Sequence, residues 1–459
     1  MGCVENFKIS DIIKATNGSL EKGDPNAIVN SISTDSRHLK NGDLFVALIG
    51  ERFDAHNFAV NAIKQGAMGV VLSHEVQGLD ELKSNVVMVK DTTKALGDIA
   101  RYYKNKFNIT VIGITGSNGK TTTKDMASAI LSEKFSVLKS EGNLNNTIGL
   151  PLTLFRLSSS YNLAVLEMGI SIPGEMSQLV DIAEPKVAVV TNISSTHLEF
   201  LGSIDGVGKE KQILVESAES AVLNIDDPYV SRMSNVVRGN VIFYGIDNPA
   251  DVTAKDVVLD QEGRPEFTIS INNAYERIKL PSVGRHNVYN ALAAISVGVM
   301  FGVGLDSIKV SLESYQQTSM RMQRLIIDGV TIINDAYNSN PVSMRVAVDL
   351  LKNLKSDGQK VMVIGDMLEL GEQSEELHEA TGKYIGTSGV SEILVTVGNR
   401  AVRIAESALE SGMKNVVVCK TNPEAIEYLR KKLNKGDLLL IKGSRGMKME
   451  QILEALGKG

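Results

Sequence analysis

The densest chemical signal in the chain is the run Gly113-Ile-Thr-Gly-Ser-Asn-Gly-Lys-Thr-Thr122. It follows the apolar, β-branched stretch Ile109–Ile114 and precedes a helical pattern. Glycines let a backbone wrap a phosphate chain closely, and the amides that open a helix point at it with the helix dipole behind them. In that setting Lys120 can reach β- and γ-phosphates, and the Thr121 hydroxyl can bind Mg²⁺. The strict phosphate-loop spacing wants a glycine where Ile114 stands, so an ordinary glycine-rich turn is the competing reading.

Other reactive residues cluster at the ends of apolar runs. Glu167 closes Leu163-Ala-Val-Leu-Glu167, and His197 ends the polar stretch Thr191-Asn-Ile-Ser-Ser-Thr-His197 after Val187-Ala-Val-Val190. Alone, each has a plain explanation: a solvated acid and a hydrogen-bonded structural histidine. Their place strengthens them, because in open parallel sheets ligands gather beyond the strand C-termini, where the phosphate loop also lies. Lys209 and Lys211 fall on a helical pattern from Gly206, where lysines usually serve solubility. The Asn- and Gly-rich run Gly142–Pro151 reads as a turn. In Gly284-Arg-His-Asn-Val-Tyr-Asn290, Asn287 suits a helix N-cap. Lys442-Gly-Ser-Arg445 suits either an anion site or a turn.

The elements that must position these residues fall into three zones of a 459-residue chain. Strand-length apolar runs alternate with helical patterns almost throughout, which predicts α/β layers. The first zone, residues 1–107, carries strands at Asp43–Leu48 and Gly69–Leu72, helical stretches at 57–65 and 93–106. The second, 108–320, carries strands at 109–114, 163–166, 187–190 and 221–223, which suit a parallel sheet buried on both faces. The third, 321–459, carries strands at 331–333, 360–364, 392–397, 415–418 and 437–441 and reads as a doubly wound, Rossmann-like domain. It has no Gly-x-Gly-x-x-Gly after its first strand, so nothing points to NAD.

Composition excludes several classes. Net charge is −6, which argues against a general nucleic-acid or membrane-surface binder. The two cysteines, Cys3 and Cys419, match no disulfide framework or metal spacing and suit a reducing cytoplasm. The start, Met1-Gly-Cys-Val-Glu-Asn6, lacks the basic and apolar regions of a secretory signal, and Asn6 breaks the myristoylation pattern opened by Gly2. No apolar run has the length of a transmembrane helix. A cytoplasmic monomer is the expectation.

The variant phosphate loop resembles that of the Mur ligases and the folylpolyglutamate synthetases, and the resemblance continues along almost the whole chain. It implies an N-terminal domain for a UDP-linked substrate, a central ATP-binding domain and a C-terminal domain for the incoming amine. ATP is assigned to Gly116, Ser117, Asn118, Gly119, Lys120, Thr121, Thr122, Asn290, Arg321 and Asp335. Two Mg²⁺ ions are assigned to Thr121, Glu167, His197 and Lys211. In this family a lysine at the Lys211 position is carbamylated, Lys209 being the alternative in this chain. Catalytic roles fall to Lys120, Glu167, His197 and Lys211. The family has a glycine before the arginine where Met320 stands. Tyr337-Asn-Ser-Asn-Pro341 and Gly365-Asp-Met-Leu-Glu-Leu-Gly371 resemble the branch that adds D-alanyl-D-alanine to a UDP-N-acetylmuramoyl-tripeptide in peptidoglycan synthesis. Asn338 is assigned to the dipeptide, Asn145, Asn146 and Thr147 to the cleft beside the phosphates, and Asp35, Ser36, Arg37 and His56 to the UDP-muramoyl end. The implied reaction makes an acyl phosphate and then an amide. A sister amide ligase is the nearest alternative. A nucleotide switch would use the same loop but would leave Glu167, His197, Lys211 and a third domain unexplained.

Overall fold

The computed structural model describes residues 4–50, 53–271 and 274–457; Gly2 and Cys3 lie outside them. Three separate sheets of five, nine and six strands order the chain, as three α/β zones predict. The first sheet runs Ser19–Lys22, Asn85–Met88, Gly69–Leu72, Asp43–Val46, Ser31–Ser33, parallel except for its antiparallel first strand.

The central sheet differs from the purely parallel expectation. Its parallel part runs Val137–Lys139, Leu163–Glu167, Thr110–Thr115, Val187–Val190, Ser220–Asn224, Val241–Gly245, Val252–Leu259. Beyond it, Pro265–Ile271 and Ala274–Lys279 extend the sheet antiparallel. The cause is burial. Leu163–Glu167 and Val187–Val190 are buried along their whole length, and so read as continuous apolar runs. In Pro265–Ile271 every second residue, including Phe267, Ile269 and Ile271, is buried, so one face only meets the core.

The helix Thr92–Lys104 bridges the first two sheets. Asp91 caps it by accepting from the amides of Thr93 and Lys94 at 2.7 and 2.9 Å. Gly97 lets it lie on Ile182, since a Cβ there would stand 2.8 Å from Ile182 Cδ1. Buried Tyr103 donates from its hydroxyl to the Leu157 carbonyl at 2.8 Å. The third sheet runs Gln323–Ile327, Val330–Asp335, Leu438–Lys442, Lys360–Gly365, Ile393–Val397, Val416–Cys419, parallel after the first antiparallel pair. No helix among the described residues is long and apolar enough to cross a membrane.

Candidate active site

The strands Leu163–Glu167, Thr110–Thr115 and Val187–Val190 are neighbours. Their C-terminal loops therefore converge, and the ends of Val330–Asp335 and Leu438–Lys442 face them. Between lies a cleft of about 560 Å³. It is lined by Ser117, Asn118, Gly119, Lys120, Thr121, Thr122, Asn145, Asn146, Glu167, His197, Asn290, Arg321, Asp335 and Asn338. Gly116, Thr147 and Lys211 do not line it, nor do Asp35, Ser36, Arg37 and His56 of the first sheet's loops.

The phosphate loop has the shape its glycines suggest. Gly116 (φ +144°) and Gly119 (φ +83°) are left-handed. A Cβ at Gly116 would stand 1.9 Å from Thr191 Oγ1, and one at Gly119 would stand 2.2 Å from Asn290 Oδ1. The loop is tied to the next one: Thr191 Oγ1 donates to Asn118 O at 2.6 Å, and the Ser117 amide donates to Asn192 O at 2.8 Å. Lys120 opens the helix Lys120–Ser132. Its ammonium folds back to donate to Gly116 O at 2.8 Å and Ser117 O at 3.3 Å. Desolvation lowers its pKa, opposed by the charge of Glu167 and aided by that of Arg321.

Glu167 is 2% exposed and fully engaged. Thr121 Oγ1 donates to its Oε2 at 2.6 Å and Asn145 Nδ2 to its Oε1 at 2.8 Å. A hydroxyl and a carboxylate oxygen side by side beneath the phosphate loop are the hard donors that Mg²⁺ takes, so this part of the donor set fits the ion. His197, left-handed at φ +55°, lines the cleft and donates from Nδ1 to Glu369 Oε2 at 2.5 Å. That bond holds the Glu369 carboxyl below its ordinary range.

Burial separates the two lysines of the helix Ile204–Ser217. Lys209 is exposed and Lys211 is 1% exposed. Lys211 makes no ion pair among the described residues, and its pKa is pushed well down, first by desolvation and then by the charge of Lys120, with Glu210 opposing. Glu210 itself accepts from the amides of Gly174 and Met176 at 2.9 and 3.0 Å.

Asn287 is not a cap. It lies inside the helix His286–Met300, donates to Val283 O at 2.8 Å, and accepts from Asn290 Nδ2 at 2.9 Å. The Arg321 guanidinium sits 3.8 Å from the centre of the Tyr337 ring. Met320 before it has φ +60° and Met322 after it φ +53°. A glycine would take the Met320 conformation without strain, which accounts for the family's preference there; methionine accepts it at roughly 1 kcal/mol. Lys442, like Arg445, lines the cleft, at the end of the strand Leu438–Lys442. It is buried and donates to Asp335 Oδ2 at 2.5 Å and to Asn338 O at 3.0 Å. Asn338 is exposed at the cleft wall.

Asp35, Arg37 and His56 are already partnered within the first domain. Asp35 caps the turn Ser36–His38, and Arg37 donates to it from Nε and Nη2 at 2.8 Å each. This bond, foremost, holds the Asp35 carboxyl far below its usual range. His56 is 1% exposed; its Nδ1–H donates to Asp54 Oδ1 at 2.6 Å, and its Nε2 accepts from the Ser73 amide at 2.9 Å. Both ring nitrogens of His56 are therefore engaged within the protein. His286, Tyr337, Asn340 and Glu369 also line the cleft, and no motif in the sequence marks them as site residues. Asn340, which caps the helix Pro341–Asn353, also donates across the cleft to Asn118 Oδ1 at 2.8 Å. A Pro at the helix's first position with Asn before it was the available signal.

Three family profiles cover most of the chain: "Mur ligase family, catalytic domain" matches residues 28–104, "Mur ligase middle domain" 114–298, and "Mur ligase, glutamate ligase domain" 320–445. A Bacillus subtilis protein named UDP-N-acetylmuramoyl-tripeptide--D-alanyl-D-alanine ligase is 38% identical over 456 residues, covering 98% of this chain and 97% of that protein. The crystal structure of MurF from Acinetobacter baumannii superposes with a TM-score of 0.90 at 31% identity, covering 99% of this chain and 100% of the other. That of MurF from Thermotoga maritima in complex with ADP gives a TM-score of 0.82 at 29% identity, covering 93% and 97%.

Proposed function

The chain belongs to the Mur ligase family, and we propose that its cleft joins D-alanyl-D-alanine to UDP-N-acetylmuramoyl-tripeptide at the expense of ATP. The observation that carries this reading is the convergence in one cleft of a glycine-cradled Lys120, the Thr121–Glu167 pair and, from the third sheet, Arg321 and Asp335. Phosphate-binding groups on one wall and polar groups on the other suit a reaction in which two substrates meet over a nucleotide.

The tripeptide carboxylate attacks the γ-phosphorus, and the bond to the β-bridging oxygen breaks, releasing ADP and leaving an acyl phosphate. The dipeptide amine then attacks the acyl carbon, the amine gives up its proton, and phosphate leaves as the amide forms. Lys120 and the loop amides counter the charge on the transferring phosphoryl group, and Arg321 does so from the facing wall. Asp335 holds the nucleotide's ribose side, and Asn290, at the start of a buried helix, its base. Asn338, exposed on the wall of the third sheet, holds the incoming dipeptide. Arg37, mostly exposed beyond the cleft, holds the nucleotide-sugar end. Docking of the third sheet on the second excludes water from the acyl phosphate.

Thr121 and Glu167 would hold one Mg²⁺, and His197 the second with support from Lys211. Bound there, the ions supply Lewis-acid neutralisation of the phosphate oxygens. Lys211 suits the carbamate role better than Lys209. Burial that lowers the pKa of an amine makes the proton easier to lose, and the deprotonated amine can add to carbon dioxide, lose a proton and become an anion. The cleft's ATP and UDP-linked substrates fit a cytoplasmic enzyme. Phosphate release from ATP and the UDP-tripeptide, measured with and without D-alanyl-D-alanine, tests the reading. Release that is the same in both refutes it.

A further inference from the structure

The third sheet touches the central one at a place separate from the Asn340–Asn118 bond, and three features meet there. His197 Nδ1 donates to Glu369 Oε2 at 2.5 Å. The Glu199 amide donates to the Glu369 carbonyl at 3.2 Å. Gly371, at φ +59°, lies so close to the helix Leu198–Leu201 that a Cβ on it would stand 2.9 Å from Glu199 Cα. Glu369 is itself left-handed at φ +62°, which turns its side chain and its carbonyl toward the same helix end.

We propose that Glu369 is a positioning residue for His197, and that the corner Glu369-Leu370-Gly371 is the catch through which docking of the C-terminal sheet completes the cation-binding side of the cleft. The proposal rests on the reading of His197 as a ligand for a divalent cation. A carboxylate offers only acceptors, so the ring proton sits on Nδ1 and the lone pair is left on Nε2. Among the described residues Glu369 is the only hydrogen-bond partner of the ring. Without it, the partly exposed imidazole would exchange tautomers and turn about its side-chain bonds. Carboxylates behind metal-binding histidines act in this way, and their removal typically weakens metal binding or activity by about 10- to 100-fold. Glu369 is 47% exposed, so water competes for the bond and the lower figure applies.

The geometry adds a coupling. Because the orienting carboxylate arrives from another sheet, His197 is set for a cation only when the two sheets are docked. By linkage, a cation bound at His197 favours the docked arrangement by the same factor by which docking favours the cation. The Gly371 contact makes this a matter of fit as well as charge, since any side chain there would lift the corner off the helix.

The test uses the full chain with ADP and Mn²⁺. Free Mn²⁺ is followed by electron paramagnetic resonance, and docking by energy transfer between labels on the central and C-terminal sheets. Glu369→Ala is expected to weaken Mn²⁺ binding about tenfold and to lower the docked fraction. Glu369→Gln keeps an acceptor for the Nδ1 proton and is expected to recover most of the affinity. Gly371→Ala keeps the carboxylate but displaces the corner, and is expected to lose both affinity and docking. Wild-type Mn²⁺ affinity and docking in a folded Glu369→Ala protein overturn the proposal, as does a Glu369→Gln variant as weak as the alanine one. His197→Ala separates the two levels: if it leaves Mn²⁺ binding unchanged, the ligand role of His197 fails; if it weakens binding while Glu369→Ala does not, the catch alone fails.

Discussion

Replacing Lys442 by methionine measures how far the cleft depends on one buried ion pair. Lys442 is 1% exposed, and its ammonium donates to Asp335 Oδ2 and to Asn338 O at 2.5 and 3.0 Å. Among the described residues, the other Asp335 oxygen keeps only the Met322 amide, at 3.1 Å. Methionine fills most of the lysine's volume, so the chief change is a carboxylate left without its counter-ion. Breaking a buried pair from one side destabilises by about 3–5 kcal/mol. Asp335 borders the cleft and water reaches part of it, so about 3 kcal/mol is expected. The double variant Asp335→Asn, Lys442→Met strands neither charge and should recover about 2 kcal/mol of the summed single losses. For a domain of this size, about 3 kcal/mol lowers the melting temperature by roughly 10 °C. Scanning calorimetry of the full chain reads this directly. A Lys442→Met protein melting within about 2 °C of wild type, or a double variant as unstable as the two singles added together, refutes the argument.

Lys120→Ala should lower turnover by about two to three orders of magnitude, the scale for one group that stabilises transferring charge; near-normal turnover at saturating ATP in a folded variant would contradict the phosphate-loop role. Lys211→Ala should lose most activity and regain part of it with acetate or formate, whereas the exposed Lys209 should tolerate alanine and show no rescue; rescue at Lys209 alone would contradict the assignment. Asn338→Ala should raise the KM for D-alanyl-D-alanine more than that for the UDP substrate, and Arg37→Ala should do the reverse; equal weakening of both substrates by both variants removes the support for that division. Burial pushes the His286 imidazole down to about 4, against the pull of Asp335 and with the push of Lys442. Its folded pKa lies below the unfolded value of about 6.5, so its neutral form's stability is whole above 6.5 and is lost as pH falls toward 4, by roughly 2 kcal/mol at pH 5. A histidine NMR titration with a midpoint near 6.5 for His286 would refute this.

What the sequence made legible follows from physics that acts locally. Val187–Val190 and Leu163–Glu167 read as parallel strands because both faces are buried and every residue is apolar or caps the end. The phosphate loop was legible because only glycine fits at Gly116 and Gly119. Pro265–Ile271 was not, because a strand with one wet face interrupts its apolar run at every second residue. The partners of site residues were hidden for another reason. Glu369 lies 172 residues from His197, and Lys442 lies 107 from Asp335. No local pattern distinguishes a lysine that will be buried against a distant carboxylate from one that ends a strand in water. The same holds for Lys209 and Lys211, two positions apart, which only the packing of their helix separates. The same holds for His56, in a polar loop, whose two ring nitrogens find partners that no local pattern marks.

The central claim is that this cleft makes one particular amide bond, and mass spectrometry of the reaction mixture tests it most directly. With ATP, Mg²⁺, UDP-N-acetylmuramoyl-tripeptide and D-alanyl-D-alanine, a UDP-linked pentapeptide is expected to appear in step with ADP and phosphate, one for one. ATP hydrolysed with the tripeptide and dipeptide both recovered unchanged would contradict it.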